Sequence, residues 1–252
     1  MLAPIAHAQT TTEHRYYAPL NSVAAFAEYS KSSSHIILGD DRQRKFLGVA
    51  FAYQRGISAT HWMAWNYSAE IRPLLLESDP TLDGQRVTVT IDGQTGGYDQ
   101  RFPQAIPIQN VKLYRDESFS GTTLQGDTFT EVLHNDLGRR WTYAPGVTPV
   151  GFSVHLLPEH RLQGFLASTG GFIVSPRDIP EFKTSAFNFT FSFGGGVEWF
   201  RDHERSWTVE YRVQHMSNAD IGTFNPGVDS QFVRVGYRFG FRSLAQVLDK
   251  LH

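Results

Sequence analysis

Residues 187–193 read Phe187-Asn188-Phe189-Thr190-Phe191-Ser192-Phe193, and the alternation continues through Gly195, Val197 and Trp199. Successive side chains of a β-strand point to opposite faces, so this order gives one strongly apolar face and one face of small or polar groups. Seven further runs alternate in a similar way, which predicts an all-β protein. The eight predicted strands lie near 21–31, 44–55, 60–76, 148–157, 161–175, 187–200, 206–217 and 229–241.

The connectors between these strands alternate in length. Three are short and four are longer: 55–59, 158–160 and 201–205, against 32–43, 77–147, 176–186 and 218–228. Short turns at one end and long loops at the other are typical of bacterial outer-membrane barrels, which have an even number of strands. The predicted fold is therefore an eight-stranded antiparallel transmembrane β-barrel with a long extracellular excursion between strands 3 and 4.

The inward rows of these strands carry charged side chains, which a narrow lumen holds only as a paired and hydrogen-bonded network. A soluble ligand-binding barrel has the opposite polarity, with apolar side chains inside, so the pattern favours a membrane protein. No run of about 18 apolar residues occurs, which excludes a helical membrane span. The inward charges are Glu70, Arg72, Glu198, Glu210, Arg212, Arg234 and Arg238.

The composition limits the other classes of function. The formal net charge is -2 and there is no cysteine, which argues against a nucleic-acid partner and excludes disulfides and thiolate metal sites. The histidines lack the spacing of metal ligands, so we expect neither a metal nor another cofactor. Nothing in the sequence specifies the oligomeric state.

The two ends of the chain differ from the barrel domain, predicted at 10–241 with 77–147 as an extracellular insertion. Residues 1–9 contain Ala6-His7-Ala8 and are interpreted as the remnant of an export signal, the alternative being an ordinary flexible terminus. Residues 242–252 are predicted as a short periplasmic tail. Its leucines stand at helical spacing, which favours an amphipathic helix or else a frayed end.

A polar pair interrupts the membrane-facing row of the seventh strand. From Trp207 this row continues to His215 and Ser217, and the eighth strand begins with Asp229 in the same phase as its own outward row. A histidine two residues from a serine can act as its general base, and an aspartate across the hairpin can hold the imidazole. The alternative is a polar pair at the headgroup level, with Asp229 opening a turn.

The segment from Tyr211 to Ala219, followed by Asn225-Pro226-Gly227-Val228-Asp229, resembles the signature of the lipid A 3-O-deacylase (PagL-type) family, also called acyloxyacyl hydrolase-like. The resemblance implies that Ser217 is the nucleophile, His215 the base and Asp229 the acid. It also implies that Asn218 and the amide of Asp220 serve the oxyanion and that Asn225 orders the loop. The family's best-known motif has glutamate at Asp229 and glycine at Asp220.

The resemblance implies a serine esterase of the bacterial outer membrane that hydrolyses an ester-linked acyl chain of lipid A in lipopolysaccharide, without a cofactor. Two alternatives stay open: a non-enzymatic small outer-membrane barrel, and a phospholipid esterase on the same scaffold. Basic side chains in or near the predicted outer loops would meet lipid phosphates or form ordinary solvated surface. They are Lys31, Arg42, Arg44, Lys45, Arg139, Arg140, Arg177 and Lys183.

Overall fold

The computed structural model describes Tyr17, residues 19–107 and residues 114–241. The predicted export-signal remnant at 1–9 and the predicted tail at 242–252 lie outside these residues. Within the described part of the chain, no helix is long and apolar enough to cross a bilayer. The strands are β1 Asn21–Ser30, β2 Lys45–Ala59, β3 Met63–Ile91, β4 Gln94–Pro107, β5 Asp116–Thr122, β6 Thr128–Tyr143, β7 Gly146–Leu156, β8 Leu162–Ile179, β9 Ser185–Phe200, β10 Arg205–Ser217 and β11 Val228–Phe241.

Eight of these strands form a closed ring of antiparallel pairs, in the order β1, β2, β3, β7, β8, β9, β10, β11 and back to β1. The ring closes between the first and last strands, where Phe26 lies opposite Gly236. A Cβ atom at Gly236 would lie 2.3 Å from the Phe26 ring, so glycine makes room for the aromatic side chain. The eight ring strands are the eight that the alternation predicts, and the predicted barrel is confirmed.

The excursion between the third and fourth ring strands is a sheet. β3 does not end near residue 76, as the alternation predicts, but runs from Met63 to Ile91, a total of 29 residues. Together with β4, β5 and β6 it forms a four-stranded extension in the order β4-β3-β6-β5. The run Leu74-Leu75-Leu76 and the proline at Pro80 interrupt the period of two, which hid this continuation in the sequence.

The lumen is filled by charged side chains in mutual contact, as the inward rows predict. Arg234 is fully buried and forms ion pairs with three carboxylates, with its nearest oxygen 2.8 Å away on Glu210. A second cluster joins Arg238 to Glu198 at 2.9 Å. Pairing removes most of the cost of burying these ions away from water. The six members of the first cluster are Glu28, Glu70, Arg72, Glu210, Arg212 and Arg234.

The outward face of the ring is apolar, with aromatic side chains concentrated near both ends. Trp65, Trp199 and Trp207 are about half exposed near the end that carries the short turns. Tyr29 on β1 and Phe189 on β9 have similar exposure near the opposite end, which carries the long loops and is called the loop end below; Trp141 and Tyr143 on the adjoining end of β6 are also about half exposed. Two aromatic girdles separated by an aliphatic and phenylalanine-rich band are characteristic of a wall that faces lipid.

A buried ionic cluster lies at the loop end. Arg44 is 1% exposed and lies 2.9 Å from a carboxylate oxygen of Asp41 and 3.4 Å from one of Glu181. Arg44 is thus part of the interior. It lies neither where it would meet lipid phosphates nor on solvated surface, which were the two expectations for the basic side chains of the predicted outer loops. Three more members of that set also have protein partners: Arg140 and Arg177 contact Asp79, and Arg139 donates hydrogen bonds to Ser78.

Candidate active site

The site lies where β10 ends and β11 begins. Met216 is buried, whereas His215 and Ser217 on either side of it belong to the outward row, as the alternation predicts. The antiparallel register places His215 directly opposite Asp229 on β11. On the other side, β9 places Phe191 opposite His215 and Phe189 opposite Ser217. The polar pair therefore has aromatic neighbours on one side and a carboxylate on the other.

His215 and Asp229 are in direct contact. The distance between His215 Nδ1 and Asp229 Oδ1 is 2.7 Å. Because an ionised carboxylate only accepts hydrogen bonds, Nδ1 carries the proton and Nε2 is left as an acceptor. The carboxylate is fully buried and the imidazole is 17% exposed. This tautomer is the one that can take a proton from a hydroxyl group.

Ser217 has a different partner from the one the sequence analysis expects. Its hydroxyl donates to Asn225 Oδ1 at 3.1 Å and accepts a hydrogen bond from the backbone N–H of Ala219, also at 3.1 Å. Proton transfer to His215 therefore requires the serine hydroxyl to leave Asn225. A longer catalytic contact in an unliganded site is common, because such hydrogen bonds tighten when substrate binds.

The β10–β11 loop, residues 218–227, is built by its own polar side chains. Asn218 is buried and donates from Nδ2 to the carbonyl oxygen of Phe224 at 2.8 Å, while its Oδ1 accepts from the N–H of Asp220 at 2.9 Å. Asn225 donates to the Asp220 carboxylate at 3.1 Å and accepts from the N–H of Asn218. The predicted oxyanion groups are thus close to Ser217 in the chain, and both are engaged in shaping the loop.

The second oxygen of Asp229 reveals a contribution that the sequence analysis missed. Asp229 Oδ2 accepts hydrogen bonds from the four consecutive backbone N–H groups of residues 36–39, at distances between 2.5 and 3.0 Å. These residues belong to the β1–β2 loop, residues 31–44, about 190 positions away in sequence. Backbone amides have no side-chain signature, so no pattern in the sequence could have identified them.

The position of the site along the wall follows from strand geometry. Ten residues separate Trp207, in the girdle at the short-turn end, from Ser217. At a rise of about 3.3 Å per residue and a tilt of roughly 40°, this corresponds to roughly 25 Å along the barrel axis. The apolar band of such barrels is about 25 Å tall. Ser217 therefore lies at the level where the hydrocarbon meets the headgroups.

The described residues contain no group of three or more histidine, aspartate or glutamate side chains that could hold a metal ion. The polar groups at the loop end instead form hydrogen bonds and ion pairs with one another. With a hydroxyl group next to it, the His215–Asp229 pair can act as a general base. The carboxylate then fixes the imidazole tautomer and stabilises the imidazolium.

A closed ring of eight strands with an apolar outer wall and a charged lumen is a membrane-spanning β-barrel. Comparison with known families identifies the family to which this barrel belongs. The sequence matches the family described as Lipid A 3-O-deacylase (PagL) over residues 109–238, which is 130 of the 252 residues. The chain belongs to this family, and the predicted family and location in the bacterial outer membrane are confirmed.

Several solved structures resemble the chain at low sequence identity. Neisserial surface protein A (NspA) is 12% identical with a TM-score of 0.41, and the similarity covers 88% of this chain and 97% of that one. The β domain of the Bordetella autotransporter BrkA is 10% identical with a TM-score of 0.29, covering 89% and 100%. LpxR from Salmonella typhimurium is 8% identical with a TM-score of 0.25, covering 87% and 100%. No curated protein matches the chain.

Proposed function

We propose that the protein is a serine esterase that removes an ester-linked acyl chain from lipid A, with Ser217 as nucleophile, His215 as general base and Asp229 as the acid that orients His215. Membership of the lipid A deacylase family supports the substrate class. The observation that carries the residue roles is the 2.7 Å contact between His215 Nδ1 and Asp229 Oδ1, directly across from each other on two strands whose outward row also presents Ser217.

The reaction begins when the Ser217 hydroxyl turns from Asn225 toward Nε2 of His215. The serine oxygen attacks the ester carbonyl carbon while its proton passes to Nε2, which gives a tetrahedral intermediate and an imidazolium held by Asp229. Collapse of the intermediate breaks the bond to the sugar oxygen, which takes the proton from Nε2. The acyl group is then on Ser217, and the deacylated sugar leaves.

Water completes the cycle. His215 removes a proton from a water molecule as its oxygen attacks the acyl-enzyme carbonyl carbon, and the second tetrahedral intermediate expels the serine oxygen. The imidazolium returns its proton to Ser217, and the free fatty acid departs. All protons pass through one imidazole, so the reaction needs no metal and no redox partner.

The negative charge that develops on the carbonyl oxygen requires hydrogen-bond donors close to Ser217. Asn218 uses Nδ2 to donate to Phe224, but an amide nitrogen has a second N–H that can serve the oxyanion. The Asp220 amide is engaged with Asn218 Oδ1, and the Asp220 carboxylate is tied to Asn225 Nδ2. This last contact restrains the carboxylate that would otherwise oppose the oxyanion.

The outward position of the site explains how a lipid substrate reaches it. A fatty acyl chain on lipid A is already in the hydrocarbon phase, and the site lies on the wall at the headgroup level. Lateral approach therefore avoids moving the chain into water, which would cost about 0.8 kcal/mol for each exposed methylene. We place the loop end of the barrel at the outer surface of the cell, where lipid A is the outer-leaflet lipid.

The test compares the unmodified protein with Ser217→Ala in vesicles that contain both lipopolysaccharide and phospholipid. Mass spectrometry measures which lipid loses an acyl chain. We expect release from lipid A by the unmodified protein and a loss of about 10³-fold or more in Ser217→Ala, as for other serine hydrolases that lose the nucleophile. Ser118→Ala is a matched control, because Ser118 is an exposed serine on the extension.

Three results would contradict parts of the proposal. Activity that persists in a folded Ser217→Ala variant would exclude Ser217 as the nucleophile. Loss of acyl chains from phospholipid with lipid A intact would support the phospholipid esterase. If a serine-directed fluorophosphonate leaves Ser217 unlabelled and no lipid changes, the protein is a non-enzymatic barrel.

A further inference from the structure

The β1–β2 loop holds Asp229 in a cradle of backbone amides. The N–H groups of Ile36, Ile37, Leu38 and Gly39 donate to Asp229 Oδ2 at 2.9, 2.5, 3.0 and 3.0 Å, while Oδ1 faces His215. With both oxygens occupied, the carboxylate has one orientation available. The two oxygens thus have separate functions, since one is fixed by the loop and the other fixes the imidazole.

The loop that provides this cradle is itself fixed on both sides. The N–H of Ser34 donates to the carbonyl oxygen of Asp229 at 3.1 Å, and the N–H groups of Asp40 and Asp41 donate to the carbonyl oxygens of Pro226 and Gly227 at 2.8 and 3.1 Å. Beyond this contact, the Asp41 carboxyl group lies 2.9 Å from the guanidinium of the buried Arg44. The cradle is therefore part of a hydrogen-bonded frame that includes the start of β11.

Gly39 is a position where the loop lies against Asp229 with no room for a side chain. A Cβ atom there would lie 2.4 Å from the backbone nitrogen of Asp229 and 2.9 Å from its carboxylate carbon. The first distance is to backbone, which cannot rotate away, so any side chain at this position must displace the loop or the start of β11. In contrast, a Cβ at Gly170 on the barrel wall would meet no atom within 4 Å.

We propose that the β1–β2 loop is a positioning element of the site, which acts through Asp229, and that Gly39 is the residue that lets it do so. The inference rests on the proposed function. Aspartate is one methylene shorter than glutamate, so its carboxylate has less freedom to find His215 by itself. The four amides orient the carboxylate of Asp229 from the side opposite His215, and they stabilise its buried negative charge next to the imidazole.

A simpler explanation is that Asp229 serves only to anchor the loop. The two explanations differ in what happens when the acid is removed. In Asp229→Asn, the amide oxygen occupies the cradle and the amide nitrogen faces His215, donating to Nδ1 and forcing the proton to Nε2. That tautomer cannot accept the serine proton, and we expect a loss of about 10³- to 10⁴-fold in kcat.

The experiment is a double-mutant cycle with Gly39→Ala and Asp229→Asn, read as kcat and KM for fatty acid release from lipopolysaccharide in vesicles. We expect Gly39→Ala alone to lower kcat by about tenfold to 100-fold with KM unchanged, since small displacements of a catalytic group have effects of this size. In the Asp229→Asn background, the same substitution should change kcat less than about twofold. Gly170→Ala should be indistinguishable from the unmodified protein.

A second variant tests the cradle even if Gly39→Ala does not fold. Replacing Ile37 by the corresponding α-hydroxy acid converts its amide to an ester, which removes one cradle donor and leaves every side chain in place. The loss of one hydrogen bond to a charged group should lower kcat by about tenfold. Thermal unfolding of each variant, measured by circular dichroism, establishes that the barrel is intact.

Equal losses from Gly39→Ala in both backgrounds, or normal kcat in both the Gly39→Ala and the Ile37 ester variants, would overturn the positioning role and leave the proposed function standing. Failure of the proposed function has a different signature, since the unmodified protein would then release no fatty acid and its Ser217 would not react with fluorophosphonate. If Ser217 reacts with fluorophosphonate but lipid A is not the substrate, the rate of Ser217 labelling is compared among the same Gly39→Ala and Asp229→Asn variants in place of kcat.

Discussion

Arg234 offers the sharpest test of how the lumen is stabilised. Its guanidinium lies 3.1 Å from Glu28, 3.1 Å from Glu70 and 2.8 Å from Glu210, and it stacks over the ring of Phe26 at 4.3 Å. In the first lumen cluster three arginines face three glutamates, so Arg234→Met leaves one uncompensated negative charge. Methionine approximately fills the volume, which separates the charge effect from a cavity effect.

The magnitude follows from the ion pairs that the substitution removes. At about 3 Å and an effective dielectric constant of about 20, each pair contributes roughly 5 kcal/mol before desolvation is subtracted. The net cost of removing one partner of a buried pair is about 3 to 5 kcal/mol, because the remaining charge loses its compensation. We therefore expect Arg234→Met to lower the free energy of unfolding by about 4 kcal/mol.

The assay is urea unfolding of the barrel in lipid vesicles, followed by tryptophan fluorescence. A second variant combines Arg234→Met with Glu28→Gln, which restores the charge balance and should recover at least half of the loss. Arg86→Met is the control, since the Arg86–Asp99 pair on the extension is exposed and its removal should have no measurable effect. A cost below about 1 kcal/mol for the single variant, or a larger cost for the double variant, would refute charge balance as the reason.

Three further predictions concern the loop end. Burial raises the pKa of Asp41 to about 8, with Arg44 opposing the rise and Glu181 adding to it, so the folded protein favours the protonated acid. Stability should therefore fall as the pH increases from about 4 to about 8, and Asp41→Asn should flatten this decline in urea midpoints; an unchanged decline would exclude Asp41 as its source. Gly227 has a φ of 63°, and a Cβ atom there would lie 3.0 Å from His215 Cε1, so Gly227→Ala should reduce fatty acid release. Gly93→Ala is the control, because Gly93 also has a positive φ, 81°, but open space around it, and fatty acid release should not change. Replacing residues 84–136 by an Asn-Gly turn removes β4, β5 and the adjoining parts of β3 and β6, but no pairing within the ring. The barrel should therefore still resist urea, and loss of the folded barrel would show that the removed part of the extension stabilises it.

The sequence predicted the fold well because strand phase is a local property. The period of two in residues 187–193 and its counterparts determines which side chains face outward, whatever strand lies next to them. It failed at β3, where three leucines and Pro80 hide the continuation to Ile91. There the pairing with β6 decides the structure, and pairing is not visible within one strand.

The same distinction holds for the candidate site. Phase alone places His215 and Ser217 on the outward row and gives Asp229 the matching phase, and the family motif adds Asn218, Asp220 and Asn225. The register that sets His215 opposite Asp229 is a property of the β10–β11 pair. Ser217 donates to Asn225, and only the folded loop places that side chain within reach.

The sequence by itself determined the strands, their two faces and the candidate reactive side chains on the outward face, because each of these depends on residues that are neighbours in the chain. The tertiary structure alone decided how Asp229 is held and where the buried charges find their partners. Those features depend on contacts between distant segments: four amides of the β1–β2 loop reach a carboxylate about 190 residues further along, and Arg44 is buried against Glu181, which lies 137 residues further along.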